Sequence, residues 1–477
     1  MYLRHLFPTP KSFTENESIR YTFGSTVTAR VSGLTPSQVE RVQTLWYRFS
    51  CDACKLHVVP TEDGCQFVIG EAACDLTDAD RYAIHVDAAG VCVRAHEAAG
   101  LLDGIKTLVQ LICPEELAEG KEAFYISAAD VHDAPAVSFR AVHLCIFPGS
   151  TLSSLEQAIH EAGFFKMTHV ILEFWGVYPY RCLPELSWDG RHFDRKDFQR
   201  LVALARSYGM EVIPMVNHFG HATQSRSCNG RHVVLNKNPR LTKLFEPDGW
   251  TWCLSNPDTY KLLAEMRAEL MELCGEGSYF HLGFDEAYSF ATCDKCRKRV
   301  PHELLAEYLN RLTEDLGKAG RTPIIWHDEL IRRDAFGEGP IVANGQNHAT
   351  DKALDLLDRR IIIADWQYDY RNGFNPTTKY FTDKGFKTVV CPWDNMENLR
   401  SLSADAKKLG AYGVLYTTWH HLPAFLRQAA YWSNCTWMAD ERVPGIADTE
   451  AACLLRRLYD TEGAFIPSGW RTCEVEF

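Results

Sequence analysis

From Phe139 onward, short strand-like runs alternate with helical segments eight times over. The runs are FRAVHLCIF (139–147), HVILEFW (169–175), EVIPMVNHF (211–219), SYFHLGFDE (278–286), TPIIWHDE (322–329), IIIADWQY (361–368), KTVVCPWD (387–394) and GVLYTTWHH (413–421). Between them lie segments with one apolar face. In 256–273 that face is Leu263, Met266, Leu270 and Leu273, and in 302–320 it is Leu305, Leu309, Leu312 and Leu316. The first has an Asn256-Pro257-Asp258 start suited to an N-cap, and the second stops at Gly320. A doubly wound sheet shares this alternation, but eight evenly spaced units favour closure into a (β/α)8 TIM barrel of the α/β class.

The first part of the chain reads differently. RYAIHV (81–86) and GVCVRAH (90–96), joined by a turn, predict a hairpin. Residues 97–112 and Pro36–Phe49 predict helices. A small α+β domain over 1–135 therefore precedes a barrel over 136–477, with the boundary in HDAPAVS (132–138).

Composition narrows the function. The net charge is −12, and no run approaches the ~18 apolar residues of a membrane span. Neither nucleic acid nor a membrane is expected as a partner. A small, weakly charged ligand fits better. The opening MYLRHLFPTPKSFTENES lacks the ~7–15-residue apolar core of an export signal. The 17 cysteines are odd in number and irregularly spaced, which predicts reduced thiols and a cytoplasmic location.

In a barrel of this kind the active site lies where the strands end. Five of the 12 tryptophans sit at such ends: Trp175, Trp326, Trp366, Trp393 and Trp419. Tryptophan is a good strand residue, which explains one or two of them. The set together suggests an aromatic cage for the C–H faces of a sugar, with interleaved Asp, Asn, Glu and His for its hydroxyls. Asp285-Glu286 closes the fourth run. Alternation would turn Asp285, Gly283 and His281 inward, with Glu286 swinging over the mouth once the pleat ends. Two carboxylates could then serve one ligand with different acidities. A solvated acidic pair at the start of a loop is the plainer reading.

HLGFDE (281–286) resembles the H-x-G-G-D-E signature of family 20 glycoside hydrolases, the β-N-acetylhexosaminidases. The likeness extends to GVCVRAHEAAGLLDGIKTLVQLI before the barrel, to DAPAVSFRAVHL at its entry, to FGHA (219–222), and to the ends WHDE, DWQY and TTWHH. It is nearest to shorter cytosolic members. The resemblance implies a retaining, exo-acting, substrate-assisted hydrolase that needs no cofactor for catalysis and acts on terminal β-linked N-acetylglucosamine or N-acetylgalactosamine. By matching position, Asp285 would orient the 2-acetamido group and Glu286 would be the acid/base. His221 matches a site histidine. Trp326, Trp366 and Trp419 would wall the pocket, Trp393 and Asp394 would line it, and Tyr368 would hydrogen-bond the acetamido group. The chain departs from the family at Phe284, which replaces a glycine, and on the first strand. There Cys145 and Pro148 stand in for an acid and an arginine that hold sugar hydroxyls, so gluco versus galacto preference stays open. Arg140 matches a barrel-entry arginine.

CDKC (293–296) follows the acid pair closely. Cys228 and Cys253 flank it on neighbouring loops, so Cys228, Cys253, Cys293 and Cys296 are candidate ligands of a structural zinc. Unrelated thiols or a redox pair are the alternatives. Two rival functions are open as well. One is a catalytically silent barrel that binds an amino sugar. The other is a zinc hydrolase barrel, against which the lack of paired histidines weighs.

Overall fold

A computed structural model describes residues 6–59, 65, 67–70, 76–115, 123–187, 193–223, 230–371, 375–438, 454–455 and 457–458. The N-terminal part is a mixed sheet with two helices on it. The strands run, in spatial order, Ser12–Phe23, Ala123–Asp133, Tyr82–Val86, Val91–Ala95, Phe67–Gly70, Thr26–Val31 and Lys55–Val59. The hairpin expected at 81–96 is there, with Tyr82–Val86 antiparallel to Val91–Ala95. Helix Pro36–Phe49 starts in a capping box, Thr35 with Gln38, and buries Val42, Leu45, Trp46 and Phe49. The segment expected as one helix over 97–112 is α-helical over Ala98–Leu108 and tightens to 3-10 geometry over Val109–Leu111.

These two helices also meet the barrel. Phe49 stacks on Phe164 with ring centroids 5.1 Å apart, and the buried Lys106 ammonium donates to the Tyr208 carbonyl at 3.1 Å. At the same junction Lys166 donates to the Tyr82 hydroxyl (2.7 Å), which donates to Asp133 (2.5 Å). The Trp437 indole donates to the other oxygen of Asp133 at 2.9 Å. Every charge buried here has a partner, which is the condition under which burial is tolerated.

The second part is a closed, all-parallel barrel. Its strands are Phe139–Ile146, His169–Phe174, Glu211–Met215, Tyr279–His281, Thr322–Trp326, Ile362–Asp365, Thr388–Val390 and Gly413–Thr417. The eighth pairs back on the first, Gly413 to Phe139. Each expected run contains one strand, but most strands stop earlier than the runs do. The fourth ends at His281, not Glu286. Past these ends a few inter-strand hydrogen bonds continue, such as those from His218 N and Trp326 N to the Leu282 and Gly283 carbonyls, both 2.8 Å, before the chain turns away.

The barrel interior is a core of its own: Phe139, Ala141, Ile171, Ile213, Met215, Ile324, Ile362, Ala364, Val389, Cys391 and Leu415, capped above by Trp326 and Trp366. These are alternate residues of each strand, as a pleated barrel requires. Arg140 lies outside this core. It is fully buried and donates to the carbonyls of Val137, Ser138 and Lys166, tying the barrel entry to the turn before the second strand. No helix among the described residues is long and apolar enough to cross a membrane.

Candidate active site

Continuing the inward alternation past the core leads to the site. It brings His143, Glu173, Asn217, His281, Trp326, Trp366, Tyr368 and Trp419 to the same end of the barrel. The first four form a polar floor. His143 Nε2 lies 2.8 Å from one oxygen of Glu173, and Asn217 Nδ2 donates to the other at 2.6 Å. Burial pushes the Glu173 carboxyl up, but these donors outweigh it and hold its pKa below the ordinary value. His281 accepts from the Gly283 N–H on Nδ1 at 3.1 Å, and burial keeps its ring neutral.

Above the floor the chain turns sharply. Gly283, Phe284 and Glu286 have φ of 72°, 86° and 49°. A Cβ on Gly283 would stand 2.0 Å from Asn217 Oδ1, so only glycine fits that close approach. Phe284, where the family has a second glycine, keeps a left-handed backbone, which is costly for a bulky residue. Its ring is buried outside the barrel against Phe219 and Tyr308, at 5.3 and 6.3 Å. The departure at this position therefore leaves the mouth clear.

The turn sets Asp285 and Glu286 around one histidine. His221 Nε2 lies 3.3 Å from Asp285 Oδ2 and 3.2 Å from Glu286 Oε2. Asp285 is buried and its Oδ1 has no protein partner, whereas the Glu286 side chain is about a third exposed at the rim. Burial works against charge on His221, yet the two carboxylates hold its imidazolium up to about 10. Burial also pushes Asp285 up, and His221 only partly offsets it, so Asp285 stays above its ordinary value. In Glu286 burial also pushes up, but His221 together with a hydrogen bond from Tyr288 outweighs it and its pKa is lowered. One turn thus gives two adjacent carboxyls opposite shifts.

Further residues fix the turn. The Glu286 N–H donates to Asp328 (3.0 Å) and the Ala287 N–H to Glu329 (2.9 Å). Burial pushes both of these acids up, Glu329 to about 7. Trp250 donates its indole N–H to the Glu286 carbonyl at 2.6 Å, and its ring lies 4.6 Å from that of His221. Trp175 covers another side of His221 at 5.3 Å.

The aromatic wall is continuous. Trp326 meets Trp419 at 5.5 Å, Trp366 meets Tyr368 at 5.2 Å, and Tyr368 meets Trp393 at 5.2 Å. The Tyr368 hydroxyl oxygen accepts from Trp419 Nε1 (2.6 Å) and from Thr417 (3.2 Å). At the rim Asp394 lies 2.6 Å from His421 Nδ1, and the ring of His421 stacks on Trp393. The structure therefore gathers Asp285, Glu286, His221, Trp326, Trp366, Tyr368, Trp393, Asp394 and Trp419 at one end of the barrel.

It adds residues that the sequence reading did not nominate. Trp250 acts from a loop, where no periodicity marks it, and Asp328 and Glu329, the last residues of the fifth run, act from the 3-10 turn Asp328–Leu330 that follows the true strand end. Glu173 and Asn217 do carry a signal, because their inward parity continues from Ile171 and Met215. On the first strand Cys145 stands beside Glu173, Sγ to Oε2 3.5 Å, and Pro148 lies in the turn after it. Of the four candidate zinc ligands, Cys253, Cys293 and Cys296 cluster, whereas Cys228 lies outside the described residues. The buried Glu246 carboxylate completes the cluster instead.

A parallel barrel with two unequal carboxyls just after its fourth strand, at an aromatic-walled mouth, has the parts a glycoside hydrolase uses. The chain belongs to glycosyl hydrolase family 20, whose catalytic-domain model matches residues 172–445. A β-hexosaminidase of Porphyromonas gingivalis is 24% identical over 281 residues, 52% of this chain and 36% of that protein. A β-hexosaminidase A of Caenorhabditis briggsae is 24% identical over 345 residues, 65% of this chain and 56% of that protein. The chain thus spans between about a third and just over half of these relatives' lengths. In fold it is similar to a β-N-acetylhexosaminidase of Bacteroides fragilis, with TM-score 0.70 at 16% identity, over 96% of this chain and 95% of that one.

Proposed function

We propose that this chain is an exo-acting β-N-acetylhexosaminidase that removes terminal β-linked N-acetylglucosamine or N-acetylgalactosamine with retention, by a substrate-assisted mechanism. The observation that carries the reading is the division of labour between Asp285 and Glu286. Asp285 is buried, with one oxygen committed to His221 and the other without a protein partner. It is suited to accept the acetamido N–H and to stabilise the positive charge that grows there. Glu286 stands at the rim, where a leaving group and then a water can reach it.

The steps follow from these positions. The substrate's acetamido oxygen attacks the anomeric carbon as the glycosidic bond breaks, and Glu286 gives its proton to the departing oxygen. An oxazolinium ion results, flanked by Asp285. Glu286, now a carboxylate, takes a proton from water, whose oxygen attacks the same carbon and reopens the ring with net retention. Before substrate binds, the proton of this cluster sits on His221. A sugar covering the mouth removes water from Glu286 and raises its proton affinity, which moves the proton toward the leaving group. Because the Tyr368 oxygen already accepts from the Trp419 indole at 2.6 Å, its own proton is suited to donate to the acetamido oxygen.

The partner in this reading is a small carbohydrate, not nucleic acid or a membrane, in keeping with the net charge of −12. A cytoplasmic location and the lack of any cofactor need in catalysis belong to the same proposal. The test is hydrolysis of aryl β-N-acetylglucosaminide and galactosaminide beside the matching glucoside and galactoside. Turnover confined to the acetamido sugars supports the reading. Binding of free N-acetylglucosamine with no turnover of either would favour a silent sugar-binding barrel.

A further inference from the structure

Glu246 to Cys253 is a hairpin, closed by hydrogen bonds from Glu246 N to Thr251 O (2.8 Å) and from Cys253 N to Leu244 O (2.9 Å). It carries Trp250, the residue that covers His221 and holds the Glu286 carbonyl. Its two ends supply Glu246 and Cys253, and the loop beyond Glu286 supplies Cys293 and Cys296. The ligand atoms of all four lie within 4.8 Å of one another. Cys253 Sγ is 3.4 Å from Cys293 Sγ and 3.6 Å from Cys296 Sγ. A disulfide needs about 2.05 Å, and Cys253 is shared almost equally between two partners, so the trio does not read as a bridge with a spare thiol. A tetrahedral metal bound at about 2.3 Å would set sulfurs about 3.8 Å apart, close to what is seen.

Glu246 gives an independent sign. It is fully buried. Its Oε2 accepts from the N–H groups of Thr292 (3.1 Å) and Cys293 (2.5 Å), while Oε1 is buried with no protein partner. A buried carboxylate with a bare oxygen beside three thiols is costly unless a cation joins them. The Cys293-x-x-Cys296 turn is shaped for the same end: the Cys296 N–H points to Cys293 Sγ at 3.3 Å, and Arg297 N donates to the Cys293 carbonyl at 3.0 Å. The first of these orients and stabilises a bound thiolate, and the second fixes the turn that carries it.

We propose that Cys253, Cys293, Cys296 and Glu246 hold one structural zinc ion that pins the Trp250 hairpin to the loop carrying the acid pair. Three sulfurs and a carboxylate close the shell, leaving no position for a substrate, so the ion braces and does not react. Ser289 reinforces the same seam, donating to Asp248 at 2.6 Å. The ion would stabilise the folded chain and keep Trp250 on His221.

The test uses the full chain, purified without added zinc or a metal-affinity step. Elemental analysis should find about one zinc per chain, and X-ray absorption at the zinc edge should show three sulfurs at about 2.3 Å and one oxygen at about 2.0–2.2 Å. Cys293→Ser and Glu246→Gln should lower zinc content, whereas Cys51→Ser, at an exposed thiol of the N-terminal domain, should not. If Cys293→Ser fails to fold, titrating the wild type with a mercurial reagent serves instead, and zinc should leave as three thiols react. A folded protein without metal, a different metal in its place, or zinc retained in soluble Cys293→Ser would overturn the site. Four sulfurs and no oxygen would overturn the assignment of Glu246.

Discussion

Gly220→Ala moves the acid pair without touching its chemistry. A Cβ at Gly220 would lie 2.0 Å from the Asp285 carbonyl oxygen and 3.0 Å from both the carbonyl carbon and the oxygen of Glu286. Backbone cannot swing aside as a flexible side chain can. Reaching even 3.0 Å from 2.0 Å means a retreat of about 1 Å by the segment that aims both carboxylates. A misplacement of about 1 Å can cost ~10²-fold in rate, or about 2.7 kcal/mol of transition-state stabilisation. Overpacking of this kind also destabilises by about 1–3 kcal/mol, which a chain of this size tolerates. The assay is kcat/KM on an aryl β-N-acetylhexosaminide, corrected for the folded fraction from a thermal melt. Gly149→Ala, where an added Cβ meets nothing within 4 Å, is the control and should match wild type. A folded Gly220→Ala protein with kcat/KM within twofold of wild type would refute the claim that this turn sets the catalytic geometry.

Other expectations follow from the same arrangement. Glu286→Gln should fold normally and lose about 10²–10⁴-fold on a disaccharide, with a smaller loss in the first step for aryl substrates whose leaving groups need no proton; an unchanged disaccharide rate would sink its role. Asp285→Asn should lower kcat more than it raises KM, since its charge acts mostly in the transition state; steady-state kinetics showing only a KM effect would contradict this. Glu329 is pushed from 4.5 to about 7, so between those values the folded chain holds a proton that the unfolded chain has lost, and stability falls as pH rises through that window. Glu329→Gln can still accept from Ala287 and should remove this slope. Denaturant melts from pH 4 to pH 8 should show the variant gaining on wild type as pH rises, and a constant difference would refute the assignment.

The barrel was legible because one rule runs through it. Alternate residues of each strand face inward, and the same parity that buries Ile171, Ile324 and Ala364 presents Glu173, Trp326 and Trp366 two residues on. The strand ends were read too long for that very reason, since HLGFDE keeps the parity while Gly283 and Phe284 turn the backbone left-handed. Loops carry no period, so Trp250 on its hairpin and Glu246 beside the thiols could be found only in three dimensions. In the N-terminal sheet, Ser12–Phe23 is mostly exposed and gains its order by pairing with Ala123–Asp133, a long-range contact that SFTENES does not announce. Helix starts were plain where a cap is local, as at Asn256, whose side chain accepts from the Asp258 N–H.

The central claim is that the substrate's own acetamido oxygen is the nucleophile, steadied by Asp285. The most direct test is kcat/KM for a series of aryl glycosides whose acetamido methyl group carries zero, one, two and three fluorines. Fluorine drains the carbonyl oxygen of nucleophilicity while changing its size little. Substrate assistance predicts a steep, monotonic fall across the series in the wild type. A flat series, or equal cleavage of a substrate lacking the acetamido group, would contradict the account.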